Sequence, residues 1–325
     1  MLDTAPIVQG STAAAALRSS VDLAHLADDL GYHRYWLPEH HGMRGVASAA
    51  PAVAVARIAS ATQHLRVGAG GVMLPNHAPL VVAEQFGTLE AFHPGRIDLG
   101  LGRALGGPSD IADRVRSGHD RTSKPFAEQI RELMDLFDAE GDEGRVAAVP
   151  AAGNRPSIWM LGSSDYTARV AGEFGLPFAF AHHLKPANTT NAIQTYTHAF
   201  QPSADRKAPE IMISVAAIVA DTDEHAQWLA APLRMRADRR RQGHPIRLPS
   251  PHTAAAQGYT NGAGADLTEV LVGGPSTVTT KLQALLDVTG ATELMIKTDV
   301  YDHNDRRRSY ELLMNHVAHR LLPAR

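Results

Sequence analysis

The chain has 325 residues, 44% of them apolar and 20% charged, which suits one large α/β barrel or two ordinary domains and excludes a small stapled scaffold or a disordered chain. Its 31 Lys plus Arg against 34 Asp plus Glu leave a net charge of -3, so no basic field points to nucleic acid or anionic lipid. With no cysteine, disulfides, thiolate zinc sites, iron–sulfur clusters and Cys nucleophiles drop out together, and any metal would need His and carboxylates.

The first residues, MLDTAPIVQGSTAAAAL, show no basic stretch followed by an apolar one, and no later run approaches bilayer length. The expectation is a cytoplasmic protein whose partner is a small molecule. Ser11 and Thr12 can cap a helix running to about Leu30, with Leu17, Val21, Leu26 and Leu30 near the helical period and Gly31 as its stop. Tyr32 to Leu37 then reads as a strand, Ala49 to Gln63 as a helix and Leu65 to Met73 as a glycine-ended strand. Helix Leu80–Phe92 and strand Arg96–Gly102 follow.

A polar loop is expected from Ala104 to Ser123, then a helix at Phe126–Asp138, a strand at Ser157–Leu161, a helix at Asp165–Phe174 and a strand at Phe178–Phe180. Further strands are expected at Ile211–Val219 and Glu293–Thr298, the second after a helix opening at Pro275. Alternating strand and helix signals, roughly eight pairs, predict a single α/β domain over 1–325. Its architecture is a (β/α)8 TIM barrel, with a doubly wound sheet as the alternative. Arg234 to Asp266 breaks the rhythm and reads as an insertion or lid near the seventh strand–helix unit.

In such a barrel the chemistry lies where the strands end. One strand ends in Glu39-His40-His41 and another in His182-His183, imidazoles that could act near neutral pH, although either pair alone would suit an ordinary polar loop. Gly68–Gly71 and Gly100–Gly102 end neighbouring strands, where small residues let a flat ligand or its phosphate approach the backbone, and Arg103 follows as a fixed charge. Gly100-Leu101-Gly102-Arg103-Ala104-Leu105-Gly106 is not the dinucleotide fingerprint, its last glycine falling one position late. Gly162, Ser163, Ser164 and Thr167 put hydroxyls and backbone N–H groups at a helix start, an anion-binding arrangement that is equally a plain N-cap. Zincin, P-loop and α/β-hydrolase motifs are missing. His40, His41, His182 and His183 with Asp299 keep open a metal-dependent hydrolase, and a barrel without catalysis is a third class.

These segments resemble the bacterial luciferase-like, flavin-dependent monooxygenase family over nearly the whole chain. The resemblance is carried by Gly31–His41, Val67–His77, Gly95–Arg103 and Trp159–Ser164, four motifs in order. Gly175–His183 looks most like the branch containing monooxygenases of bacterial natural-product (antibiotic) pathways. The resemblance implies FMN at the barrel mouth, with His40 beside the flavin as the catalytic imidazole. It puts the backbone around Gly70, Gly71 and Val72 under the ring, often with a nonprolyl cis peptide. Arg103 with Gly162, Ser163, Ser164 and Thr167 would hold the phosphate, and His182 would approach the ring. Glu39, His41 and His183 are expected to line the substrate pocket. The chain departs from the family pattern at its first strand, reduced to Met1-Leu2-Asp3, and in lacking the occasional active-site Cys. The resemblance further implies reduced FMNH2 from a separate NAD(P)H-dependent reductase, O2 as co-substrate and a homodimer, with no metal. Hydride transfer by a flavin or deazaflavin is the alternative chemistry on the same fold.

Overall fold

The computed structural model describes residues 1–104, 106, 111, 114–115, 124–138, 147–203, 206–260, 262–318 and 321. Most of the polar loop expected from Ala104 to Ser123 lies outside the described residues. In chain order, α1 (Ala13–Asp29), β1 (Arg34–Leu37), α2 (Pro51–Ala59), β2 (Arg66–Met73), α3 (Pro79–Phe92) and β3 (Ile97–Gly102) precede α4 (Phe126–Asp138), β4 (Ser157–Gly162), α5 (Asp165–Glu173) and β5 (Phe178–Phe180). Then come α6 (Thr189–Ala199), β6 (Ile211–Val219), α7 (Asp223–Arg241), α8 (Pro251–Ala256), β7 (Val270–Gly273), α9 (Pro275–Thr289), β8 (Glu293–Lys297) and α10 (His303–Leu312). Local chemistry sets these bounds. Thr12 caps α1 by accepting from Ala15 N at 3.1 Å, Gly31 (φ +76°) ends it in left-handed geometry, and prolines open α2, α3, α8 and α9.

The eight strands form one parallel sheet in which β1 to β7 follow in order and β8 also pairs with β6. Since β5 and β8 both pair with Met212 and Ile213, they take opposite edges of β6; Ala216 pairs with both Lys297 and Val270, so β7 continues the β5 edge from Ala216 to Val219. The ring closes through the short N-terminal stretch: Leu2 bridges Trp36 in parallel and its amide donates to Ile296 O at 2.8 Å. The amides of Trp36 and Asp3 bond Met1 O and Trp36 O at 2.8 and 2.9 Å. Met1–Asp3 is therefore the stave between β8 and β1, completing a (β/α)8 barrel with β7 as an extra strand. Buried Asp3 locks that stave down, accepting from Arg306 Nη2 at 2.6 Å and from the Tyr35 hydroxyl.

One expectation shifts. Arg234–Arg241, read as the start of the insertion, continues α7: three arginines at a helix C-terminus complement its dipole and do not break the helix. The irregular part is confined to residues between α7 and β7. Strand β7 and helix α6, without strong periodic signals, went unanticipated.

Side chains alternate across each strand, so the barrel interior is built in layers. At the bottom, Arg34 on β1 donates from Nε and Nη2 to Glu293 on β8 at 2.7 and 3.0 Å and from Nη1 to Asp98 on β3 at 2.7 Å. Arg66 reaches the other Asp98 oxygen at 2.7 Å. Above this layer sit Trp36 and Trp159, edge to face at 5.6 Å, with Leu2, Met212 and Met295. The Arg34 guanidinium lies 4.7 Å from the Trp159 ring centre, and Trp36 Nε1 donates to Asp98 at 2.8 Å. Two indoles need room, and the glycines on β2 and β3 provide it: a Cβ at Gly70 would lie 2.9 Å from Trp36 Cβ, and one at Gly71 2.6 Å from Gly100 O. Their missing side chains are spent on protein packing.

Arg34→Met takes away the guanidinium that three buried acidic and aromatic groups share. It is expected to cost about 3–5 kcal/mol, read as a lower urea midpoint at pH 7 with an unchanged slope.

Candidate active site

The strands carry their sequence-singled residues to one rim. Leaving β1, Glu39 is wholly buried. Its Oε1 accepts from His41 Nε2 at 2.8 Å, its Oε2 from Met73 N at 3.0 Å, and His77 Nε2 lies 2.9 Å from both oxygens. Burial alone would push this carboxyl up, but the hydrogen bonds from His77, Met73 and His41 outweigh it and hold it below its usual range. Glu39 has no surface to offer a substrate, a correction to its expected place: it stands behind the wall and fixes His41 and His77, both partly exposed. His77 was passed over in sequence because only the shared carboxylate reveals its role.

His40, next in the chain, points into the rim. Its amide donates to Ser48 O at 2.9 Å, and its buried Nδ1 has no hydrogen-bond partner. Burial, then the charge of Lys297, lower its pKa, so the ring is neutral at pH 7. The Gly70–Gly71 peptide beside it is cis, and the β2–β3 register shifts between Gly70 and Val72.

From β5, His182 Nδ1 lies 2.7 Å from Thr189 Oγ1, whose hydroxyl donates to Pro186 O at 2.8 Å. The Thr oxygen therefore accepts from Nδ1–H, leaving Nε2 of neutral His182 as an acceptor. His183 repeats the pattern on β6: Nδ1 is 2.9 Å from Ser214 Oγ, which donates to Phe180 O at 3.3 Å. Burial, with Lys297 adding to it, lowers the His183 pKa to about 4.

Across the barrel, Arg103 is exposed and stacks on Tyr166, 4.4 Å from the ring centre. Ser164 caps α5, its Oγ lying 3.5 Å from Thr167 N and 3.3 Å from Thr167 Oγ1. A Cβ at Gly162 would strike Thr167 at 2.7 Å. Asp165 begins the helix, yet Asn188 and Asn191 occupy its two oxygens at 3.0 and 2.7 Å. A guanidinium, the Ser164 hydroxyl and the first-turn amides of α5, with Ser163 next to them in the chain, make a donor set that fits a phosphate. The residues expected to hold FMN meet at this rim, Arg103 and the α5 start on one side and His40 and His182 on others.

A profile of the luciferase-like monooxygenase family matches residues 2–293. The chain is 42% identical over 319 residues to a luciferase-like monooxygenase of Escherichia coli (strain K12), covering 97% of this chain and 95% of that protein. It is 45% identical over 318 residues to the protein YvbT of Bacillus subtilis (strain 168), covering 96% and 94%. Among solved structures, apo-MsnO8 superposes with a TM-score of 0.91 at 36% identity, covering 100% of this chain and 98% of that one. The chain belongs to the luciferase-like monooxygenase family.

It is a flavin-dependent monooxygenase. The rival metal reading asks His40, His182, His183 and Asp299 to serve one ion. Nδ1 of both His182 and His183 is engaged, and one Asp299 oxygen is held by Lys297 Nζ at 2.5 Å and Arg236 Nη2 at 2.9 Å. Among the described residues no group of three or more His, Asp or Glu is arranged to hold a metal. Lys297, Arg236 and Tyr166 are rim residues that sequence reading missed. Lys297 had a signal, since Glu293-Leu294-Met295-Ile296-Lys297 alternates and puts Lys297 on the face of Met295.

Unfolded, an imidazole titrates near 6.5. Between pH 6.5 and about 4 the unfolded chain therefore takes up the proton that folded His183 refuses, and stability falls as pH drops through that window. The loss reaches about 3 kcal/mol, with His40 acting in the same direction. Urea unfolding at pH 7, 5.5 and 4.5 should show this slope, and His183→Gln should flatten it.

Proposed function

We propose that this monooxygenase is the oxygenase component of a two-component system. It takes reduced FMN (FMNH2) from a separate NAD(P)H-dependent reductase and uses O2 to hydroxylate or epoxidise an organic substrate of the natural-product type. The observation that carries the reading is the pairing, on one barrel rim, of the Arg103–Ser163–Ser164 anion cradle with a neutral His40 whose buried Nδ1 is unpartnered. Names of relatives support it. A protein of Acinetobacter baylyi (strain ATCC 33305 / BD413 / ADP1), 26% identical over 222 residues, is the oxygenase component of flavin-dependent trigonelline monooxygenase. The oxygenating constituent of 3,6-diketocamphane monooxygenase, of the same fold at TM-score 0.74 and 21% identity, was solved with FMN. The substrate type rests on the resemblance of Gly175–His183 to natural-product enzymes.

When bound, reduced FMN supplies the electrons that activate O2, one oxygen atom entering the substrate and the other leaving as water. The protein binds, orients and dries. Arg103 and the first turn of α5 would hold the phosphate, with Gly162, Ser163, Ser164 and Thr167 shaping the cradle. Gly70, Gly71 and Val72 would back the ring, and His182 would present its Nε2 acceptor to it. His40, neutral and without a partner at Nδ1, is placed to hold or pass one proton at that atom. His41 and His183 would border the substrate. The part of the 234–266 segment beyond α7 would act as a lid: its Leu248 O accepts from Gln9 N at 2.8 Å, and Arg247 donates to Arg44 O and Ser11 O at 3.1 and 3.2 Å. We further propose a homodimer, consistent with exposed Val53, Val81 and Phe92 on α2 and α3, and a cytoplasmic setting. No helix among the described residues is long and apolar enough to cross a membrane.

Anaerobic titration with photoreduced FMN tests the cradle. Arg103→Met should weaken reduced FMN about tenfold or more, about 1.4 kcal/mol, while riboflavin, which lacks the phosphate, binds both proteins alike. Equal FMN affinities would remove Arg103 from the phosphate site. His40→Ala should keep reduced-FMN binding and lose about 100-fold in substrate oxygenation coupled to NADH use; full coupling in that variant would take His40 out of the mechanism.

A further inference from the structure

One cation at the rim is not needed by the phosphate cradle. Along β8, Glu293, Met295 and Lys297 share the inward face: Glu293 joins Arg34 in the bottom layer and Met295 joins the tryptophan layer. Lys297 is thus the next rung up, at the floor of the mouth. Its register partner on β6 is Ala216, the one partly exposed residue of an otherwise buried strand. Gly70 and Leu161, also inward and near strand ends, are partly exposed too. Together these positions outline an open space above the indoles, with Lys297 on its β8 side and small side chains beside it.

Lys297 Nζ and Arg236 Nη2 share a single carboxylate oxygen of Asp299, at 2.5 and 2.9 Å. Asp299 Oδ1 is buried with no partner, and an ammonium has three N–H donors, of which Asp299 takes one. The imidazoles within reach of Lys297, His40 and His183, are neutral, and Glu39 is satisfied by His41 and His77. Two cations thus share one carboxylate, Asp299, in a site only 17% exposed at the lysine side chain, while Glu39 is committed to His41 and His77. Counting staves from Met1–Asp3, β3 with Arg103 is the fourth and β8 the eighth, so Lys297 stands opposite the phosphate cradle.

We propose that Lys297, held on Asp299 at the inward face of β8 beside Ala216, His40 and His183, receives a carboxylate carried by the organic substrate. It thereby sets which end of that substrate enters the barrel first. The inference rests on reading the mouth as the shared flavin and substrate cavity. A partly dehydrated ammonium makes a short, charge-assisted hydrogen bond to a carboxylate and none of comparable strength to an amide, so it selects on charge where the apolar floor cannot. Lys297 is then a specificity-determining residue, separate from the proton transfer assigned to His40.

The test uses 2-naphthoate and its uncharged isostere 2-naphthamide, titrated calorimetrically into the flavin-free protein, with reduced-FMN binding measured separately. Wild type should bind naphthoate at least tenfold more tightly than naphthamide. Lys297→Met should abolish that preference, Lys297→Arg should retain much of it, and all three proteins should bind reduced FMN alike. Equal binding of the two probes by wild type, or a preference that survives Lys297→Met, would overturn the proposal. So would a Lys297→Met variant whose main loss is in reduced-FMN affinity, since the lysine would then serve the flavin. Failure of wild type to bind reduced FMN, with the naphthoate preference intact, would instead count against the flavin reading alone.

Discussion

The interior of this barrel hangs on Arg34. One guanidinium bonds a carboxylate on β3 and another on β8 while sitting on β1 itself, so three staves on different sides of the ring are tied at one level. Such a network is expensive to bury, and replacing it with apolar side chains need not destabilise a protein. Its contribution here is register. Strands rise about 3.3 Å per residue and a slip of one residue reverses every side chain. Fixing Arg34, Asp98 and Glu293 at a common height therefore also fixes the height at which His40, Arg103 and Lys297 emerge. The rim residues converge because the opposite end of the barrel is pinned.

Between these two levels the tryptophan pair fills the core and consumes the space that glycines leave. The glycine-rich strand ends suggest a ligand pressed on the backbone, and part of that suggestion is misplaced. A Cβ at Gly70 would meet Trp36, and one at Gly71 would meet the Gly100 carbonyl. The glycines are required by the protein's own packing before any cofactor is considered.

That distinction shows how far the sequence could be read. Strand ends were legible because polar residues after a buried parallel strand contradict the pattern that precedes them, as at Trp36-Leu37-Pro38-Glu39 and Phe180-Ala181-His182. The eight-fold ring was legible from alternation, even with one stave cut to Met1–Asp3, because Leu2 needs only one neighbour on each side to close it. Depth was not legible. Glu39 and His40 are adjacent letters, yet the carboxylate is sealed behind the wall, where it meets His77, 38 residues on and beyond the end of another strand, while the neighbouring imidazole faces the rim. Nor could the Arg239–Arg241 run announce whether it closes a helix or opens a loop, since both contexts favour arginine.

On the proposed reading the rim divides electrostatically into a side for one anion and a side where two cations share one carboxylate, with neutral imidazoles between them. At the α5 start the acidic Asp165 would oppose an incoming phosphate, but Asn188 and Asn191 draw both its oxygens to their amides. The helix keeps its favourable N-terminal charge while Arg103, stacked on Tyr166, faces outward with its donors. On the β8 side the carboxylate is instead overcommitted, one Asp299 oxygen serving both Lys297 and Arg236. Burial and that nearby positive charge hold His40 and His183 neutral. The same cation that would attract a carboxylate therefore keeps the imidazole beside it able to accept a proton, so on the proposed reading substrate charge is coupled to proton handling: an anion docked on Lys297 would cancel part of the field that depresses His40, making that ring more basic when the site is filled than when it is empty.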